Sequence, residues 1–121
     1  MSLVNIDCVK AIKKLQHQTG QNLLKSLTDI YFLQAPEALS KMKVALAKAD
    51  LETLKREAHS LKSSSAILGV LKILEICKSI EDETTLEKQP SVDRLQSLVS
   101  QLEIVTGPSL EELGNVMQRE G

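Results

Sequence analysis

One segment concentrates the side chains that could do chemistry: Arg56-Glu57-Ala58-His59-Ser60-Leu61-Lys62-Ser63-Ser64-Ser65-Ala66-Ile67-Leu68-Gly69. At about 100° per residue, Leu54, Ala58, Leu61, Ser65 and Leu68 fall on one side of a helix. That side is apolar or small, so it is the face predicted to be buried. His59 projects roughly opposite its centre, beside Lys55, Lys62, Ser63 and Ala66. A core histidine would share the leucine face. An imidazole in water titrates near ~6.5, so at neutral pH it is mostly an uncharged nucleophile. Phosphoryl transfer needs in-line approach and neutralisation of charge on the equatorial oxygens. Lys62, one turn on, is placed to supply part of that, with Lys55 and Arg56 one turn before the histidine. The arrangement suits an imidazole that takes up a phosphoryl group and gives it back.

The other groups read more plainly. His17 is expected to be a solvated side chain near a helix C-terminus, where the dipole favours it. Ser64 and Ser65 are small residues that permit close helix packing. Cys8 and Cys77 are far apart, with no CxxC or CxxH, so a disulfide framework or zinc site is not expected. Both read as free thiols in a reducing compartment, Cys77 buried. Nothing resembles a carboxylate cluster for Mg²⁺ or a glycine-rich phosphate loop. The chain is therefore not expected to take phosphate from ATP, nor to bind a metal or cofactor of its own.

The elements that position His59 are all predicted to be helical. A first helix runs from about Asp7, read as its N-cap, to about Gln18, with Val9, Ile12 and Leu15 on one stripe and Thr19-Gly20 ending it. A second spans about Gln21 to Lys48, with Leu23, Leu24, Leu27, Ile30, Tyr31, Leu33, Leu39, Met42, Val44 and Leu46 inward; Pro36 should kink or divide it. Asp50 reads as the N-cap of the third helix. Gly69 reads as its C-terminal stop, with positive φ. A fourth runs from about Val70 to Asp82, with Leu71, Leu74, Cys77 and Ile80 inward, and Glu83 to Gln89 reads as polar loop. Pro90-Ser91 opens the last helix, where Val92, Leu95, Leu98, Val99, Leu102 and Val105 are spaced for burial. Thr106-Gly107-Pro108 should interrupt it before Leu110, Leu113 and Met117. Short links between amphipathic helices predict an all-α fold: an antiparallel up-down four-helix bundle with an additional short N-terminal helix across one end.

Composition bounds the rest. A chain of 121 residues reads as one domain, 1–121, able to bury its own core. Met1-Ser2-Leu3 and Glu120-Gly121 read as cloning remnants, so an excised domain is expected. The net charge of −1 gives no reason to expect nucleic acid or an anionic membrane as partner. One Tyr, one Phe and no Trp leave no base-stacking platform and a core of aliphatic residues. No apolar run approaches the roughly 18 residues of a membrane span.

The run His59, Leu61, Lys62, Ser64, Ser65, Ala66, Leu68, Gly69 resembles the signature of the histidine phosphotransfer (HPt) domains of two-component phosphorelays. The likeness extends more loosely over the whole chain, in length and helix order. It departs at one point: where the family usually has glycine four residues after the histidine, this chain has Ser63. The resemblance implies that His59 is a phosphoacceptor, with Lys62 steadying the phosphoryl group. It implies a partner that is a receiver domain, whose own acidic pocket holds Mg²⁺ and whose aspartyl phosphate is the donor, with reversible transfer. It also implies an acceptor from the fourth helix that fixes the imidazole tautomer. Glu81 occupies that position, so Nδ1–H should bond to Glu81 and leave Nε2 as nucleophile. The partner would dock over Ser63 and Ala66, near Lys55; the stripe Val9, Ile12 and Leu15 either closes the end of the bundle by ordinary burial, the simpler reading, or supplies an apolar rim as the resemblance suggests. A monomer is expected, in the cytoplasm, with the cytoplasmic tail of a membrane-bound hybrid sensor kinase as one placement. A structural adaptor that binds a receiver without transfer is the competing reading. A kinase dimerisation domain fits less well, since one chain here supplies enough helices for a bundle.

Overall fold

A computed structural model describes residues 2–85 and 89–120. Five helices follow one another: α1 (Ile6–Thr19), α2 (Leu23–Ala47), α3 (Leu51–Leu68), α4 (Leu71–Thr84) and α5 (Val92–Glu120). Among the described residues there is no strand, only an isolated bridge between Val4 and Val70. Helices α2, α3, α4 and α5 close a ring in which each packs on the next, and α2 also meets α5; α1 packs on α2, α3 and α5. This is the four-helix bundle with an extra N-terminal helix that the spacing of apolar residues implies.

Helix α3 carries the site, and its limits follow from local chemistry. Asp50 caps it, its carboxylate accepting from Thr53 N (3.2 Å) and Thr53 Oγ1 (2.6 Å). Those bonds hold its carboxyl below the ordinary aspartate value. Its buried residues are Leu54, Ala58, Leu61, Ser65 and Leu68, the face read from the sequence. It ends at Gly69, φ +72°, whose N–H returns to Ser65 O. A Cβ at Gly69 would stand 2.8 Å from Asn5 O and 2.8 Å from Cys8 Cβ. The residue thus stops the helix and also lets the N-terminal segment pass close by. That segment is tied down by Asn5 N–Gly69 O (2.7 Å), Leu71 N–Leu3 O (2.8 Å) and Val4 N–Glu112 Oε2 (2.7 Å).

Several expectations need correction. Asn5, not Asp7, caps α1, its side chain accepting from Asp7 N. Pro36 does not divide α2, nor does Pro108 end α5: each lies inside one continuous helix. Both stand on exposed positions. The buried side of α2 is Leu24, Thr28, Tyr31, Ala35, Ala38, Met42 and Ala45, whereas Ile30, Leu33 and Val44 are exposed. Alanine at closely packed positions lets neighbouring helices approach, so the large apolar residues were the wrong guide there. In α4 the inward set is Ile73, Ile76, Cys77, Ile80 and Glu83, with Leu71 exposed. Val92 and Leu15 are likewise exposed. Glu83 is not in a loop: it is a buried residue of α4 whose carboxylate accepts from Ser91 N (3.2 Å) and pairs with Arg94 Nε (3.2 Å). It therefore anchors the start of α5, which Ser91 caps through Arg94 N. The middle of the expected loop, residues 86–88, lies outside the described residues.

Candidate functional site

His59 stands on the outer face of α3, its side chain 64% exposed. Helix α4 returns alongside α3 and brings Glu81, 22 residues on, to the ring: His59 Nδ1 lies 2.5 Å from Glu81 Oε2. A carboxylate can only accept, so an ionised Glu81 places the proton on Nδ1 and leaves the lone pair on Nε2. Glu81 is well suited to stay ionised. Its pKa is held below the ordinary glutamate value, first by the hydrogen bond from Lys62 and then, against partial burial, by His59.

Lys62 is the second half of this arrangement. Its Nζ donates to Glu81 Oε1 at 2.7 Å, and its side chain is only about a quarter exposed (26%). The lysine expected beside the phosphoryl position thus has its amine on the carboxylate, and Glu81 serves His59 with one oxygen and Lys62 with the other. Glu52, Lys55, Arg56, His59, Glu81 and Thr85 line an open cleft of about 590 Å³ beside the imidazole. Ser63 and Ala66 are exposed along the same helix. Ser63 Oγ donates back to His59 O (3.1 Å), so its hydroxyl lies against its own helix and adds little bulk.

Of the three residues read as a possible apolar rim, Leu15 is exposed and the other two are not. Val9 (0% exposed) and Ile12 (8%) are core residues and have no free face for a partner. Ordinary amphipathic burial wins there. Among the exposed apolar side chains, Ile30 and Leu33 (75% exposed) on α2 and Ile67 on α3 lie near one another. They line shallow hollows with Gln34, Ser60 and Ser64, and Gln34 Nε2 donates to Ser60 Oγ at 3.2 Å across the two helices. Sequence reasoning missed this patch. The available signal was that α2 carries more large apolar residues than one buried face can take.

The remaining reactive groups lie outside the His59 cleft. Cys77 is fully buried; burial, and next the charge of Glu81, push its thiol up to about 12. Cys8 is half-buried against Gly69. His17 is exposed in the last turn of α1. Among the described residues no three His, Cys, Asp or Glu side chains gather as a metal site, and no helix is long and apolar enough to cross a membrane.

Comparison with known proteins gives two findings. The chain is 33% identical over 82 residues to multistep phosphorelay regulator 1 of Schizosaccharomyces pombe, a match covering 68% of this chain and 28% of that protein. The chain thus corresponds to under a third of the relative's length. The family model described as "Hpt domain" matches residues 26–104, which takes in nearly all of α2, the whole of α3 and α4, and the first half of α5. With that match centred on the helix that presents His59 and the helix that holds its ring, the chain belongs to the Hpt domain family.

Proposed function

We propose that His59 is the residue through which this chain acts as a phosphocarrier in a multistep His–Asp phosphorelay. Its Nε2 lone pair attacks phosphorus of an aspartyl phosphate on a receiver domain. The bond from phosphorus to the aspartate oxygen breaks, and the carboxylate leaves with that electron pair. The proton on Nδ1 stays on the ring, so the phosphorylated imidazole carries positive charge. Glu81 offsets this charge and opposes any shift of the proton. Transfer to a second receiver is the same step reversed, and the two linkages are close enough in energy for both directions. The observation that carries this reading is the pairing of an exposed His59 with Glu81 across α3 and α4.

The receiver docks over His59, Ser63 and Ala66, with Ile30, Leu33 and Ile67 as the apolar part of the surface and Lys55 and Arg56 along its polar edge. The domain works as a monomer in the cytoplasm and binds no cofactor; Mg²⁺ belongs to the receiver. It has no ATP-dependent kinase activity of its own. Labelled phosphate supplied on a receiver domain with Mg²⁺ should appear on the wild type and not on His59→Gln. ATP with Mg²⁺ alone should label neither.

A further inference from the structure

The two ring nitrogens of His59 face opposite ways, and the residues that follow it in α3 divide in the same sense. At about 100° per residue, Lys62 lies about 60° to one side of His59 and Ser63 about 40° to the other. Glu81 marks which side is which: it meets Nδ1 and also takes the Lys62 amine, so Nδ1 is turned toward α4. Nε2, across the ring, is turned away from α4, toward the side of Ser63. Helical side chains lean back toward the N-terminus, so Ser63 leans over the turn that bears His59. Both residues are exposed. The Ser63 hydroxyl is also uncommitted. Its resting bond, 3.1 Å to His59 O, goes to a carbonyl that the helix already supplies with the N–H of Ser63. Turning the hydroxyl away therefore strands no backbone group. The Lys62 amine, by contrast, is held on Glu81 at 2.7 Å.

We propose that Ser63 is a catalytic residue of the transfer: its hydroxyl leaves His59 O and donates to an oxygen of the phosphoryl group on Nε2. The inference rests on His59 being the phosphoacceptor. The serine makes and breaks no bond to phosphorus, and its proton stays on Oγ. A phosphoryl group brings three strong acceptor oxygens and negative charge to this spot. A hydrogen bond to a charged acceptor outweighs one to a neutral carbonyl. The exchange of partners therefore favours phosphorylated His59 over the free ring. Ser63, where the family usually has glycine, thus sets how far the transfer equilibrium lies toward this chain.

The test compares wild type, Ser63→Ala, Ser63→Gly, Ser63→Thr and Ser64→Ala, each as the full chain. One receiver domain with Mg²⁺ serves as donor and acceptor, and the ratio of phosphorylated chain to phosphorylated receiver is followed to equilibrium from both directions. An effect on access alone changes forward and reverse rates alike and cancels from that ratio. Ser63→Ala and Ser63→Gly should both move it about tenfold toward the receiver. Ser63→Thr keeps the hydroxyl and should hold the wild-type ratio. Ser64→Ala should also leave it unchanged, although Ser64 Oγ donates to Ser60 O in the same manner at 3.3 Å. A wild-type ratio in Ser63→Ala would overturn the proposal. So would faster transfer in both directions by Ser63→Gly at an unchanged ratio, which would reduce Ser63 to a matter of access. Charging with phosphoramidate, which needs no receiver, tells the two readings apart. A wild type that takes no phosphate on His59 from either donor would remove the phosphocarrier reading and this inference with it. A charged wild type beside an indifferent Ser63→Ala would remove the inference alone.

Discussion

Glu81 Oε2 lies 2.5 Å from His59 Nδ1, joining α4 to the exposed face of α3 at the one ring where transfer would occur. The pair explains why a solvent-facing histidine is not merely a solvated one. Its ring is oriented by Glu81, and on the proposed reading that leaves Nε2 as the nucleophile and places a counterpart beside the charge gained on phosphorylation.

Removing that counterpart should cost activity more than stability. Glu81→Ala is expected to lower the phosphotransfer rate about 10–100-fold while the helical content and the unfolding midpoint change little. Glu81→Gln retains an acceptor and should fall between the two. Equal rates for wild type and Glu81→Ala in a single-turnover assay would show that the ring needs no orienting partner.

The two αL glycines make a matched test of the N-terminal strap. Gly20 and Gly69 both have φ +72°, but a Cβ at Gly20 meets nothing within 4 Å. Gly20→Ala should cost about 1–2 kcal/mol, from backbone strain alone. Gly69→Ala adds overlap with Asn5 O and Cys8 Cβ and should cost about 1–3 kcal/mol more. Urea unfolding of the two variants measures the difference, and equal losses would mean that the strap yields freely.

Acid should weaken the fold through identifiable carboxylates. Unfolded, Glu81 titrates near its ordinary 4.5 and Asp50 near 3.8; folded, both are held lower. The unfolded chain therefore takes up these protons first as pH falls. The stability they provide is complete above the unfolded values and is lost as pH falls through the lower, folded ones. Wild type should lose stability between pH 6 and about pH 3, and Asp50→Asn and Glu81→Gln should each lose less over that interval. Denaturant midpoints at the two pH values check this; parallel losses in all three proteins would contradict it.

The apolar patch on α2 and α3 gives a prediction with no stability component. Leu33 is 75% exposed, so Leu33→Asp should change stability by no more than about 0.5 kcal/mol. A charge in the centre of a docking surface should nevertheless weaken receiver binding by about 1–3 kcal/mol. Val9→Asp is the contrast: Val9 is fully buried, so that variant should destabilise the fold itself. Titration calorimetry against a receiver, beside thermal melts, separates the two. Undiminished receiver affinity in Leu33→Asp would remove the patch from the interface.

Much of the fold was legible because α3 is strongly amphipathic. Leu54, Ala58, Leu61, Ser65 and Leu68 share a face that charges and serines avoid, and His59 is then outside by elimination. Asp50 and Gly69 bound the helix through capping chemistry that depends on adjacent residues alone. Helix α2 was not legible in the same way. It has apolar residues around most of its circumference, and the buried side is chosen by which positions let α3 and α5 come close, as at Ala35, Ala38 and Ala45. That is a property of the neighbours. Within the site, His59 was evident from sequence and Glu81 followed from the family's pattern. The engagement of Lys62 was not, because it depends on which of two acceptors a flexible amine meets in three dimensions.

The most direct measurement is phosphotransfer from a receiver domain charged with labelled phosphate in Mg²⁺, with wild type beside His59→Gln. The account predicts label on the wild type alone, labile to acid and stable to base as a phosphoramidate is, and none on the variant. Equal labelling of His59→Gln, or label on neither protein with receivers that bind the domain, would contradict it.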